Sequence, residues 1–135
     1  NFMRSHLYTA LGVIKVGMDI LTKDEGVEID TVLGHGGLFK TKGVGQKILA
    51  DAINTPVVVM ETAGEGGPWG MAILAEYMVK REEGEKLEDY LKNKVFGSDA
   101  GSRIDPDPEG VVGYEAFMET YKKGLDVERR ACADL

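Results

Sequence analysis

The first part of the chain follows a helical pattern of apolar positions. Apolar side chains recur at steps of three and four, the spacing that places them on one face of an α-helix; they are Met3, Leu7, Ala10, Leu11, Ile14, Met18 and Leu21. This pattern predicts a helix over residues 4–21, and its width predicts packing on more than one side. Gly12 and Gly17 lie inside the helix, where glycine is costly, so we expect another part of the backbone to approach both closely.

Strand and helix patterns then alternate. Residues 28–34 and 56–60 are short apolar segments that predict two strands. An amphipathic stretch at 44–54 predicts a helix between them, with Val44, Ile48, Leu49 and Ala52 facing inward. The remaining helical patterns cover residues 68–81, 87–94 and 114–125. A helix that connects two consecutive strands implies that the strands are parallel, so the predicted fold class is α/β.

Two parallel strands form an incomplete sheet, since stable sheets usually have about four to six strands. We therefore expect the remaining strands upstream of Asn1 or in a partner. The chain also enters helical periodicity at its first residues, which favours a fragment of a longer protein. The unpaired strand edge and the uncovered flank of the first helix predict self-association, so a homo-oligomer is expected.

Composition narrows the class of protein. The chain has 135 residues, 43% of them apolar, which suits one domain with a hydrophobic core. A net charge of -7 argues against nucleic-acid binding, which requires clustered Lys and Arg. The single Cys132 cannot form an internal disulfide, which suits the cytoplasm. The apolar stretches are too short for a membrane span, and we expect no membrane association.

The most chemically suggestive segment is the loop Gly34-His35-Gly36-Gly37, which follows the first predicted strand. Ligands of open α/β sheets bind at the carboxyl ends of strands, and glycine lets the backbone approach a flat base or a phosphate. A tight turn without a ligand is an equally good interpretation of this pattern. The Walker A spacing is absent, and Phe39 stands where the dinucleotide fingerprint requires a glycine.

Four segments in the same order resemble the C-terminal domain of the FGGY carbohydrate kinases. They are VLGHGG at 32–37, QKILAD at 46–51, NTPV at 54–57, and Glu65 followed by WGMAILA at 69–75. The family pattern is a strand ending in glycines, a helix ending in Ala-Asp, a Pro-Val turn into a strand, and a helix rich in small residues. The first and last predicted helices occupy matching places, so the resemblance covers most of the chain.

The resemblance implies a ribonuclease H-like (actin/hexokinase-type ATPase) C-terminal half, with an incomplete parallel sheet flanked by helices. Residues 1–135 would form the nucleotide-binding domain of a larger kinase that transfers the γ-phosphoryl group of ATP to a sugar, with xylulose or ribulose favoured. The residues implied near the adenine and ribose are Gly34, Gly36, Gly37, Leu38 and Gln46. Mg²⁺, the catalytic base and the sugar would be bound mainly outside this chain, so we expect the chain alone to be inactive.

The chain departs from the family pattern in four places. The loop before Glu65 is about one residue longer, and the small polar residue that often follows the glycines is missing. The segment between the glycine loop and Ala50-Asp51 is about two or three residues longer, and this longer segment contains Phe39, Lys40 and Thr41. Asn54 stands where a glycine usually precedes the Pro-Val turn, a tolerated change because Asn also enters the left-handed region.

Several side chains allow other interpretations. A calcium site would draw on Asp99, Asp105, Asp107 and Glu109, but the spacing fits Asp107-Pro108 as a helix cap better. His35 is either a ligand to phosphate or ribose or a histidine held in a turn. Glu61 and Glu65 are candidate cleft carboxylates, with Glu65 also a favourable partner for a helix dipole. Trp69 is expected in the core and His6 on the surface.

Two other functions stay open at this stage. The first is a nucleotide-sensing or assembly module of the same fold without catalytic activity. The second is a Rossmann-like cofactor domain, against which the failed dinucleotide fingerprint counts.

Overall fold

The computed structural model of the protein describes residues 1–96 and 101–133. Its elements, in chain order, are α1 (Phe2–Asp19), β1 (Val32–Gly34), α2 (Val44–Ile53), β2 (Val57–Val59), α3 (Gly66–Lys80), α4 (Leu87–Tyr90), β3 (Ser102–Ile104) and α5 (Pro108–Ala133). π-helical turns continue α1 through Ile20–Asp24 and α4 through Leu91–Val95. Short 3-10 turns at Gly37–Phe39 and Glu61–Glu65 follow β1 and β2.

The strands form one three-stranded sheet in the order β1-β2-β3. β1 and β2 are parallel, with Leu33 opposite Val58, which confirms the predicted α/β arrangement. β3 is antiparallel to β2, so the sheet is mixed and the expectation of a purely parallel sheet is wrong. The sequence pattern missed β3 because Ser-Arg-Ile is too short and too polar to show strand periodicity.

Strand β1 is shorter than predicted. Its pairing begins at Val32, whose main-chain N–H donates to the carbonyl of Pro56 at 2.9 Å, whereas a strand was expected from residue 28. The pairing is limited by β2, which is itself only three residues long. After α2, Asn54 adopts the left-handed conformation at φ 49° and ψ 43°, as expected for the residue that replaces glycine at this turn.

The core lies where α2 packs against α1 and α5 on one side and the sheet on the other. Its buried residues are Leu11, Ile48, Leu49, Ala50, Ala52, Ile53, Val57, Tyr114 and Met118. The inward positions predicted for α2 are confirmed except Val44, which is 46% exposed because it lies at the open N-terminal end of the helix. The Tyr114 hydroxyl donates to the Tyr8 carbonyl at 2.8 Å, which joins α5 to α1.

Helix α1 packs along a narrower face than its apolar pattern predicts. Among the described residues it buries Leu11, Gly12 and Lys15, while Ile14 is 46% exposed and Val13 is 67% exposed. The expected close neighbour is present at Gly12, but it is the side-chain ring of Tyr121 and not another backbone. The expectation is wrong at Gly17, where a β-carbon would meet nothing within 4 Å. In the part of the chain that the structure describes, no helix is both long and apolar enough for a transmembrane span.

Candidate functional site

Two glycine-containing loops meet at the carboxyl ends of β1 and β2. The main-chain N–H of Gly36 donates to the carbonyl of Ala63 at 2.7 Å, which joins the loop after β1 to the 3-10 turn after β2. The imidazole of His35 lies against Gly66, where a β-carbon would come 3.0 Å from Nδ1. Parallel pairing brings the two strand ends to the same edge, so two loops that are distant along the chain form one surface.

The three glycines of the predicted site lie in different surroundings. Gly34 is buried, and a β-carbon there would collide with the ring of Phe39, so internal packing alone explains this glycine. Gly36 has φ 108°, a conformation that L side chains rarely adopt. Gly37 is exposed, and a β-carbon at either Gly36 or Gly37 would meet nothing within 4 Å. The open backbone of the loop is therefore the Gly36-Gly37 pair.

Leu38 and Gln46 connect the loop region to α2 and to the sheet. The Leu38 side chain lies so close to Gly45 of α2 that no β-carbon fits there. Gln46 is 3% exposed, and its Nε2 donates to the carbonyls of Val57 at 2.8 Å and Ser102 at 2.7 Å. Gln46 thereby ties α2 to β2 and β3, and it also lines the cleft beside them. Of the five predicted residues, only Gln46 lines the cleft, and only Gly36 and Gly37 have open space beside their Cα atoms.

A cleft of about 990 Å³ adjoins the loops. Its walls come from the Phe39 to Gly43 segment, the first turn of α2, the strand ends and the turn after β2; the polar lining residues are Lys40, Lys42, Gln46, Glu61, Glu65 and Ser102. The cleft therefore holds both cations and carboxylates. Lys42 was not identified from the sequence, which gives no pattern that distinguishes it from other surface lysines.

A salt bridge crosses the cleft between the two loops. The Lys40 Nζ lies 2.7 Å from Glu65 Oε1, and the aliphatic part of Lys40 lies over Gly64. The hydrogen bond from Lys40 lowers the pKa of the Glu65 carboxyl below its ordinary value, so this group is ionised near neutral pH. The two residues are 25 positions apart, so no sequence spacing predicts that they pair.

The sequence reasoning also missed a buried carboxylate at the far end of α2. Asp51 is 2% exposed and accepts a hydrogen bond from the main-chain N–H of Asp107 at 2.8 Å. Lys47 Nζ lies 3.2 Å from Asp51 Oδ2 and 3.3 Å from Asp107 Oδ2. The only sequence signal was the Ala-Asp that ends the helix in the family pattern, and its role was not assigned.

The other candidate residues do not assemble a second site. Asp107 Oδ1 accepts from the Glu109 N–H at 3.1 Å, which confirms the predicted helix cap, and Asp105 pairs with Arg103 at 2.8 Å. Asp99 lies outside the described residues. Within residues 1–96 and 101–133, no group of three or more His, Cys, Asp or Glu side chains is placed to hold a metal ion.

Two further residues considered in the sequence analysis, Trp69 and His6, lie outside the cleft. Trp69 is only partly buried and lies outside the core, contrary to the prediction, and its ring contacts Phe96 with centroids 5.6 Å apart. His6 is exposed on α1, as predicted, and its ring meets Phe2 edge-on at 4.7 Å. Among the described contacts, none joins Trp69 or His6 to the glycine loops.

Residues 1–79 match the model of the FGGY family of carbohydrate kinases, C-terminal domain. The matched region runs from α1 through nearly all of α3 and includes both glycine loops, the salt bridge and the α2 residues described above. No curated protein and no solved structure matches the chain. Because the match covers more than half of the chain, the protein belongs to the FGGY family of carbohydrate kinases and contains the family's C-terminal domain, as the sequence resemblance indicated.

Proposed function

We propose that this chain is the C-terminal, nucleotide-binding part of an ATP-dependent carbohydrate kinase, which transfers the γ-phosphoryl group to a sugar hydroxyl. The family match supports a carbohydrate kinase, a phosphotransferase class that generally uses ATP and a divalent metal ion. The observation that carries the nucleotide proposal is the bare backbone of Gly36-Gly37 at the end of a parallel strand. We further propose that the enzyme is cytoplasmic and that its sugar substrate is xylulose or ribulose.

The adenine and ribose would lie along Gly36 and Gly37, where no side chain holds the ligand away from the main chain. Gly34 and Leu38 would shape this surface through their packing against Phe39 and Gly45. Gln46 would fix the strand ends beneath the ligand, since its amide hydrogens already bind two strand carbonyls. Of the five residues that the resemblance implied near the adenine and ribose, Gly36 and Gly37 would make the direct contacts and the other three would support them.

Phosphoryl transfer requires in-line positioning, charge neutralisation and a base that accepts the hydroxyl proton. ATP would supply the phosphoryl group and Mg²⁺ would neutralise its charge, while the described part of this chain offers no cluster of three metal-ligating side chains. The role of these residues would be to bind and orient the nucleoside. We therefore expect the 135-residue chain alone to phosphorylate no sugar.

Calorimetric titration of the chain with ATP, ADP and NAD tests this proposal. Binding of ATP and ADP without NAD supports it, and binding of NAD alone would instead support a Rossmann-like cofactor domain. The test variant is Gly37→Leu, because a β-carbon there meets nothing within 4 Å and the side chain would occupy the surface proposed for the base. The matched control is Gly124→Leu on α5, which is equally open and remote.

Loss of ATP binding in Gly37→Leu but not in Gly124→Leu would support the glycine surface. Equal binding by both variants and the parent chain would contradict it. Detectable sugar phosphorylation by the 135-residue chain would contradict the separate expectation that it is inactive alone.

A further inference from the structure

The segment between the glycine loop and α2 places a lysine, Lys40, beside the proposed nucleoside surface. The main-chain N–H of Lys40 donates to the carbonyl of Gly37 at 3.2 Å, so Lys40 lies one turn from the open glycine pair. Its ammonium is held by Glu65 at 2.7 Å across the cleft.

We propose that Lys40 exchanges partners, leaving the Glu65 carboxylate to bind the phosphates of an adenine nucleotide. The inference rests on the proposed function, since it assumes a nucleoside on Gly36-Gly37. Glu65 acts as an internal substitute for the phosphate and competes with the nucleotide for the Lys40 ammonium. Lys42, on the same cleft wall, supplies a second positive charge.

The exposure of the two side chains permits this exchange. The Lys40 side chain is 58% exposed and that of Glu65 is 71% exposed, so water solvates both partners when they separate. Exposed ion pairs contribute little stability because solvent and salt screen them. A polyphosphate carries more negative charge and more acceptor oxygens than one carboxylate, and so it competes effectively for a lysine.

The start of α2 also favours an anionic ligand near Lys40. Among the described residues, no side chain caps the N-terminus of α2, which begins after Gly43 on the cleft wall. The first turn of a helix carries partial positive charge, although the Val44 N–H here already donates to the carbonyl of Thr41 at 3.4 Å.

A fixed clamp between the loops would explain the same salt bridge, and it makes a different prediction. In a clamp, Lys40 and Glu65 act together, so removal of either one loosens the loops and weakens every ligand. In an exchange, the two residues act in opposition, so their removal changes phosphate affinity in opposite directions. The nucleoside part of the ligand, which does not touch Lys40, should be unaffected in both variants.

The experiment measures the Kd of the chain for adenosine, ADP and ATP by calorimetry in the parent, Lys40→Gln and Glu65→Gln. Loss of one charge-assisted hydrogen bond should weaken ATP binding about tenfold in Lys40→Gln. Removal of the competing carboxylate should strengthen ATP binding about threefold in Glu65→Gln. Adenosine affinity should stay constant. The matched control is Lys123→Gln, an exposed lysine on α5 away from the cleft.

Opposite changes in ATP affinity, with unchanged adenosine affinity, support the exchange. If the parent binds ATP and adenosine but both variants weaken ATP binding, or neither changes it relative to Lys123→Gln, the exchange is wrong and the nucleotide proposal stands. If the parent binds neither ATP nor adenosine, the proposed function itself fails and the exchange fails with it.

Discussion

The buried carboxylate of Asp51 accepts a hydrogen bond from the main-chain N–H of Asp107 at 2.8 Å, across 56 positions of the chain. This contact fastens the C-terminal half of α2 to the start of α5. Gly110 lies against the same carboxylate, and a β-carbon at Gly110 would collide with it. The Asp of the Ala-Asp pair is therefore a structural anchor for the last helix, far from the glycine loops.

Replacing Asp51 should destabilise the fold. We expect Asp51→Ala to lower the free energy of unfolding by about 2–3 kcal/mol, because it removes a buried charged acceptor and leaves the Asp107 N–H without its partner. Asp51→Asn retains an acceptor oxygen and should cost less. Urea denaturation measures the free energy of unfolding of both Asp51 variants. The control is Asp126→Ala, because the exposed pair of Asp126 with Arg129 should contribute less than about 0.5 kcal/mol. A cost for Asp51→Ala no larger than the control would contradict this role.

The two glycines inside α1 should respond oppositely to alanine. A β-carbon at Gly12 would come 2.6 Å from Tyr121 Cζ, so Gly12→Ala must displace the ring and should cost about 1–2 kcal/mol. Gly17→Ala meets nothing within 4 Å and should stabilise the helix by about 0.5–1 kcal/mol. Thermal unfolding of the two variants checks the pair. A gain in stability from Gly12→Ala would show that the ring contact is not tight.

A buried lysine joins α1 to α5. The Lys15 side chain is 4% exposed, and its ammonium lies 2.9 Å from Asp19 and 2.7 Å from Glu115. Burial alone would lower the pKa of Lys15, but the hydrogen bonds to Glu115 and Asp19 outweigh it and raise the pKa. Burial alone would raise the pKa of Asp19, but hydrogen bonds from Lys15 and Lys23 outweigh it and lower the pKa. Both charged forms are therefore favoured by folding.

We expect Lys15→Met to lower the free energy of unfolding by about 2 kcal/mol near pH 7, because it leaves Asp19 partly buried with one fewer partner. The stability from a raised lysine pKa is lost as pH rises through the folded pKa, above about 10.5. The stability that Asp19 contributes through its lowered pKa is lost as pH falls through its folded pKa, below about 4. The difference between parent and variant should therefore be constant from about pH 5 to 9 and shrink at both extremes.

Urea denaturation across pH measures this difference. The matched control is Lys23→Met, which removes the other, 60% exposed partner of Asp19 and should cost less than about 0.5 kcal/mol. A pH-independent difference for Lys15→Met would mean that packing, and not the ion pairs, determines its effect.

The free edge of β1 predicts self-association. Among the described residues β1 pairs only with β2, and Leu33 on this edge strand is 62% exposed. An open strand edge with an exposed apolar side chain is a template for pairing with another chain. We expect Leu33→Lys to shift the chain toward monomer in sedimentation velocity, with Val127→Lys on α5, 71% exposed, as the control. A parent chain that is monomeric at all concentrations would contradict this prediction.

The sequence patterns located the helices better than the strands, although α5 runs from Pro108 to Ala133, well beyond the predicted 114–125. The periodicity of α2 and the turn at Asn54 were predicted to within one residue, because amphipathic spacing and a left-handed cap are local properties. β3 escaped detection because its three residues become a strand only by pairing with β2. The exposed Ile14 and Val13 of α1 show the opposite case, in which apolar spacing predicts a helix correctly but cannot indicate which neighbours cover it.

The sequence by itself determined the α/β order, the family and the loop at which a ligand is expected, because these depend on residue type and on short-range spacing. Only the tertiary structure decided that the Phe39 ring packs against Gly34, that Gly36 and Gly37 are open, and that Lys40 pairs with Glu65. Those relationships join atoms distant along the chain or depend on side-chain direction, and both arise only when parallel pairing of β1 and β2 brings their loops to one edge of the sheet.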